Sequence, residues 1–146
     1  MTDQLSLGLT GEWQPGALDP GVLFTGRYQT WRPGTGVPIR TTIGSPKFWR
    51  HGPMERIAGI TPYGVFRNPD LETTEEQQAA YMARLDDRAD QILTDLDKLA
   101  ARHPGKNLVI LCFDDVWAGV ECHRRWFANW WETRFGTEVP ELEPGQ

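Results

Sequence analysis

Cys122, His123 and Arg124 stand side by side, ten positions after the chain's other cysteine, Cys112. Together they offer a sulfur that can attack, an imidazole that can take a proton and a guanidinium that can hold a phosphate or carboxylate. Cys122 falls where a helix is expected to begin. Unpaired backbone N–H groups and the helix dipole favour a thiolate there. Asp114 and Asp115, in the loop before that helix, are candidates for moving a proton or orienting the histidine. The catalytic set expected is therefore Cys122, His123, Asp114 and Asp115. Arg124 or Arg125 would grip the substrate. Their helical positions differ by about 100°, so at most one should point inward. Cys112, Arg27, Tyr28, Trp31 and Trp117 complete the expected substrate-binding group.

Each of these residues also has a plainer reading. A cysteine inside an apolar run, such as Cys112, is commonly a small core residue. The two aspartates could simply end a strand and cap a turn, and His123 and Arg124 could sit on a solvated helix face.

The surrounding pattern supplies elements to position the cluster. Leu108 to Phe113 is an unbroken apolar run between polar turns, the mark of a strand buried on both faces of a parallel sheet. Asp114 to Glu121 reads as a loop, and a helix is expected from about Cys122 to Phe135, with Gly136 capping its end. Upstream, Met82, Leu85, Ala89, Ile92, Leu93, Leu96, Leu99 and Ala100 recur at helical spacing. Thr73 and Glu76 have the spacing of a capping box, and His103-Pro104-Gly105 stops the run. One helix of about 28 residues, roughly 40 Å long, is expected. Val22 to Thr25 and Val37 to Ile43 read as strands, with Pro38 pointing to a sheet edge for the second. The order implies an α/β domain with a small central parallel or mixed sheet, flanking helices and an irregular Pro/Gly-rich N-terminal half. The boundaries expected are an arm over 1–21, one domain over 22–136 and a tail over 137–146. In open α/β sheets ligands bind beyond the carboxyl ends of the strands, where the Cys112–Arg125 stretch lies.

Bulk properties narrow the function classes. At 146 residues, 39% hydrophobic and 24% charged, the chain suits one globular domain. It has no apolar run long enough to span a membrane, and Met1-Thr2-Asp3-Gln4 lacks the start of a signal peptide, so a cytoplasmic protein without membrane partners is expected. Two cysteines are too few for a disulfide framework, and both are expected as thiols in a reducing compartment. The net charge of −5 argues against indiscriminate nucleic-acid binding. Yet Val22 to Arg67 carries seven basic residues against Glu55 alone, interleaved with Tyr28, Trp31, Phe48 and Trp49. That stretch suits stacked bases and phosphates, so an anionic small molecule or a nucleic acid is the expected partner class. Seven tryptophans leave monomer and homodimer both open, and no cofactor is called for.

Leu108-Val-Ile-Leu-Cys112-Phe-Asp-Asp followed by Glu121-Cys-His-Arg124 resembles the bacterial family catalogued as domain of unknown function 488. Its members show an apolar strand ending in Leu-Cys, a short acidic loop, and Cys-His-Arg opening a helix. Cys112, Cys122, His123 and Arg124 match that pattern position by position. Val22-Leu-Phe-Thr25, Pro46 with its following aromatic, Pro62 and Tyr81 match more loosely. The loop Val116-Trp117-Ala118-Gly119-Val120 departs from the family's shorter, proline-containing form. The resemblance implies an α/β fold with its site at the strand-to-helix junction, and no particular reaction.

A cysteine-dependent enzyme acting on a nucleotide or nucleic-acid related substrate is the leading functional expectation. The alternatives are a binding module using segment 22–67, a metal site of Cys112, Cys122 and His123, and a reversible disulfide. The last requires Cα atoms within about 7 Å.

Overall fold

The computed structural model describes residues 18–19, 22–66, 68–113 and 122–142. Four parallel strands form one sheet in the order β1–β4–β2–β3. They are β1 Leu23–Arg27, β2 Val37–Arg40, β3 Glu55–Arg56 and β4 Leu108–Cys112. Strand β4 pairs with β1 on one side and β2 on the other, and all five of its residues are buried. A central strand has no wet face, so its residues need no polar alternation.

Among the described residues, helices cover one face of the sheet only. Leu23, Val37, Ile39, Leu108 and Ile110 join the core built with the helices, whereas Val109 and Leu111 turn to the other face. There they meet Tyr28 and Trp31, with Phe24 and Trp49 packed alongside. Much of the aromatic content of segment 22–67 thus forms the second lid of the sheet.

Strand β2 shows how Pro38 is tolerated. Val37 N–H donates to the Asn107 carbonyl beside β4. Backbone groups alternate sides along a strand, so the N–H missing at Pro38 belongs to the opposite side. Pairing with β3 starts only at Ile39, opposite Glu55. The strand is interior, but at Pro38 its outer side is still an edge.

The long helix expected from sequence is two helices, α1 Thr74–Asp87 and α2 Ala89–Arg102. The capping box forms: Thr73 Oγ1 accepts from Glu76 N–H, and the Glu76 carboxylate accepts from Thr73 N–H. Arg88 leaves helical geometry at φ −110° and ψ 15°. A straight rod of about 40 Å would overrun a sheet whose strands are at most five residues long, about 17 Å. Bending at Arg88 lets Tyr81 and Leu85 of α1 and Ile92, Leu93, Leu96 and Leu99 of α2 enter one core. Gly59, in the 3-10 turn Ala58–Ile60, fits against the bend: a Cβ there would lie 2.7 Å from Ile92 Cγ1.

Helix α3, His123–Phe135, ends at Gly136, whose φ of 79° is the left-handed value a glycine accepts without strain. Phe127 and Trp131 are fully buried, and Trp126 and Trp130 nearly so, which makes this face core rather than a partner surface. The chain then returns. Thr25 N–H donates to Pro140 O and Leu142 N–H to Thr25 O, so part of the expected tail runs beside β1.

Candidate functional site

Strand β4 ends at Cys112, β2 runs into Thr41, and α3 starts immediately after Cys122. Three chain segments therefore meet at the carboxyl end of the sheet. Cys122 is the N-cap residue of α3, extended at φ −145° and ψ 145°, rather than part of its first turn.

The two sulfurs are bonded to each other, with Cα atoms 7.5 Å apart. This corrects the expectation of two separate thiols and corresponds to the reversible disulfide named among the alternatives. The strand end and the helix start bring the two sulfurs together, with their Cα atoms slightly beyond the separation of about 7 Å set for such a bond. Both cysteines are buried, each 1% exposed.

His123 is fixed by a chain of hydrogen bonds whose directions can be followed. Thr41 Oγ1 donates its proton to Leu111 O at 2.7 Å. Toward His123 Nε2, 3.0 Å away, that oxygen can therefore only accept. The Thr41 carbonyl, at 3.1 Å from the same nitrogen, can also only accept. The proton thus belongs on Nε2, and Nδ1 carries a lone pair. Nδ1 lies 3.8 Å from Cys122 Sγ. Burial beside Tyr81 and Phe66 holds the imidazole neutral and brings its pKa down to about 4, with the Thr41 hydrogen bond opposing the shift and the Arg124 charge adding a smaller push.

Arg124 is fully buried, and its fork is committed inside the protein. Nε and Nη2 donate to the two carboxylate oxygens of Glu141 at 3.0 and 2.7 Å, and Nη1 donates to Cys112 Sγ at 2.7 Å. Sequence spacing assigned this guanidinium to a substrate; in the structure it serves Cys112 and the C-terminal segment instead. A guanidinium N–H directed at sulfur favours the anionic form when the sulfur is released. Arg125 donates to Thr25 Oγ1 and Val139 O, and so joins the same network through Thr25, whose hydroxyl donates to Glu141. Only one of the two arginines reaches a sulfur, as the helical angle requires.

The other expected residues scatter. Arg27 donates to Phe113 O and so stays at the β4 end. Tyr28 is buried on the loop-covered face, its hydroxyl paired with Thr42. Trp31 packs against Trp49 and His51 and lines a cavity of about 690 Å³ with Gly36, Val37, Glu55, His103 and Asn107. Those residues mark the amino end of the strands, away from the cysteines. Asp114, Asp115 and Trp117 lie outside the described residues. Arg32 and Arg50 donate to backbone carbonyls and the half-buried Arg40 to Ser45, so among the described residues the exposed Arg32 and Arg50 form a basic surface without carboxylate partners.

Two contributors were not picked out from sequence. Thr41 falls in the strand expected over Val37 to Ile43 and Glu141 in the tail expected over 137–146, and neither carries a signal of a role at the site. Nothing in the spacing links Glu141 to Arg124, because the return of the chain along β1 is a tertiary event.

Among the described residues, Cys112, Cys122 and His123 are the group whose ligand atoms could share a metal ion, all lying within 4.8 Å of one another. No helix among the described residues is long and apolar enough to cross a membrane. No family model matches the chain, and no curated protein or solved structure matches it either.

Proposed function

We propose that the protein is a cysteine-dependent redox enzyme whose centre is the Cys112–Cys122 pair, acting on a small two-electron oxidant such as a low-molecular-weight disulfide. The observation that carries this reading is the bonded pair itself, flanked by an unprotonated imidazole nitrogen on one sulfur and a guanidinium on the other. Burial of both sulfurs favours a small reactant over a protein disulfide.

In the reduced state the Cys122 thiol faces His123 Nδ1, and its proton moves by way of that nitrogen only as the sulfur attacks, because the buried imidazole stays neutral at rest. Its sulfur attacks one sulfur of the substrate disulfide, forming a mixed disulfide and expelling one thiolate. A weakly basic imidazole passes the proton on to that leaving group. Cys112, kept anionic by Arg124, then attacks Cys122 Sγ and expels the second thiolate. One substrate disulfide is reduced to one thiol and one thiolate, which takes its proton from water, while the cysteine pair is oxidised to its bond. An external dithiol reverses the cycle. The family resemblance agrees with a site at this junction.

The exposed basic edge supports a subordinate reading, in which an anionic small molecule or nucleic acid docks beside the centre. Such docking would weaken steeply as salt rises.

Trapping tests the proposal. Reduced Cys112→Ser protein treated with 2-hydroxyethyl disulfide should accumulate the mixed disulfide on Cys122, as read by peptide mass mapping. The wild-type chain should pass through it to the internal bond, and Cys122→Ser should label at least tenfold more slowly. Equal labelling of both single variants, with no internal bond in the wild type, would remove the division of roles.

A further inference from the structure

In its reduced state the same junction has the make-up of a metal site. We infer that, once the Cys112–Cys122 bond is open, Cys112 Sγ, Cys122 Sγ and His123 Nδ1 bind one divalent cation of the zinc class.

Three observations converge. The ligand atoms already lie within 4.8 Å of one another in a buried site. Two thiolates and one imidazole are a known zinc donor set, and three protein ligands leave a fourth position for water or a small molecule. The outer contacts are also those a metal-bound imidazole has. Metal-binding histidines commonly donate their second N–H to a backbone carbonyl or carboxylate, which fixes the ring. His123 Nε2 is held that way by the Thr41 carbonyl and hydroxyl, leaving Nδ1 toward the sulfur.

Charge balance fits as well. Two thiolates cancel a divalent cation, while Arg124 is already neutralised by Glu141. The buried site would take up the ion without net charge, releasing a proton from each sulfur that is still a thiol. The sulfur bond and the ion exclude each other, because bonded sulfurs carry no thiolate. The inference rests on the reading that the pair opens and closes, and it supplies that reading with a consequence: metal occupancy reports the redox state.

The test uses the full chain, reduced and metal-free, titrated with Co²⁺ and followed by absorbance. One equivalent should produce a sulfur-to-cobalt charge-transfer band, which Zn²⁺ then displaces. His123→Ala should weaken binding by about tenfold or more. The oxidised wild-type chain should give no band, a control that needs no substitution and no refolding. If reduced protein shows two titratable thiols and native circular dichroism but no cobalt–sulfur band, the metal inference is overturned and the redox reading stands. If metal-free reduced protein cannot re-form the bond with a small disulfide, the redox reading itself fails, whatever the metal does.

Discussion

Replacing Arg124 with Met should cost the fold about 3–5 kcal/mol, the range for breaking one side of a buried ion pair, read as a lower midpoint in urea unfolding. The side chain is fully enclosed, and the Glu141 side chain is only 7% exposed. Without the guanidinium that carboxylate keeps the Thr25 hydroxyl, a 2.6 Å bond, and loses its charged partner. Water cannot enter readily to replace the loss. The damage should spread along the C-terminal segment, since Glu141 bridges to Thr25 and Leu142 N–H pairs with Thr25 O. The double variant Arg124→Met with Glu141→Leu removes both charges together. It should regain most of the lost stability, because a matched apolar pair avoids the desolvation of two ions. It should not regain the reactivity of Cys112, which depends on the Nη1 contact with sulfur. That split separates the architectural role of Arg124 from its chemical one. A double variant as unstable as the single one would show that the ion pair is not the source of the effect.

The second large effect concerns pH. His123 has a pKa of about 4 in the folded chain against 6.5 for a free histidine, chiefly because burial penalises the imidazolium. A base with a depressed folded pKa binds its proton more readily when unfolded. Its contribution is therefore intact above pH 6.5 and is lost as pH falls toward 4. The difference corresponds to a loss on the order of 3 kcal/mol across that window. Urea unfolding of the metal-free chain at pH 7 and at pH 4.5 should show most of this fall. The Glu55 carboxylate, whose hydrogen bonds with His103 and Arg102 outweigh its partial burial and lower its pKa, acts in the same direction but below about pH 4.5. His123→Gln keeps a donor toward Thr41 and cannot ionise. It should flatten the curve between pH 6.5 and 4.5, and a curve as steep as the wild type's would move the effect to another group.

How much of this could be read from the chain depends on how local each feature is. The Leu108–Cys112 strand, the capping box at Thr73, the stop at His103 and the glycine at 136 are decided within a few residues, and all are present. The bend at Arg88 was not legible, because the helical period runs unbroken through it. What bends it is the length of the sheet and the packing of Gly59, both set from elsewhere. The location of Cys112, Cys122 and His123 followed from topology, since a parallel strand and the next helix must meet at that end. The joining of the sulfurs was open only as one alternative among several, and the engagement of Arg124 by Glu141 did not follow. They depend on distances between segments that share no periodicity. The residue type alone points Trp31 toward the site, but although its backbone amide bonds Arg27 O at the carboxyl end of β1, its indole crosses the sheet to the cavity at the amino ends of the strands.

The central claim is that Cys122 is a thiol activated by its neighbours and coupled to Cys112. The most direct measurement is the rate of iodoacetamide alkylation of each cysteine against pH, by peptide mass mapping, on reduced metal-free folded protein. The account predicts that Cys122 reacts well below the pH 8.5 of a free thiol. It also predicts that His123→Gln slows Cys122 about tenfold or more, the lower end of what a positioned base contributes, while Arg124→Met acts on Cys112. Alkylation of Cys122 that tracks a free peptide thiol, unchanged by either substitution, would contradict it.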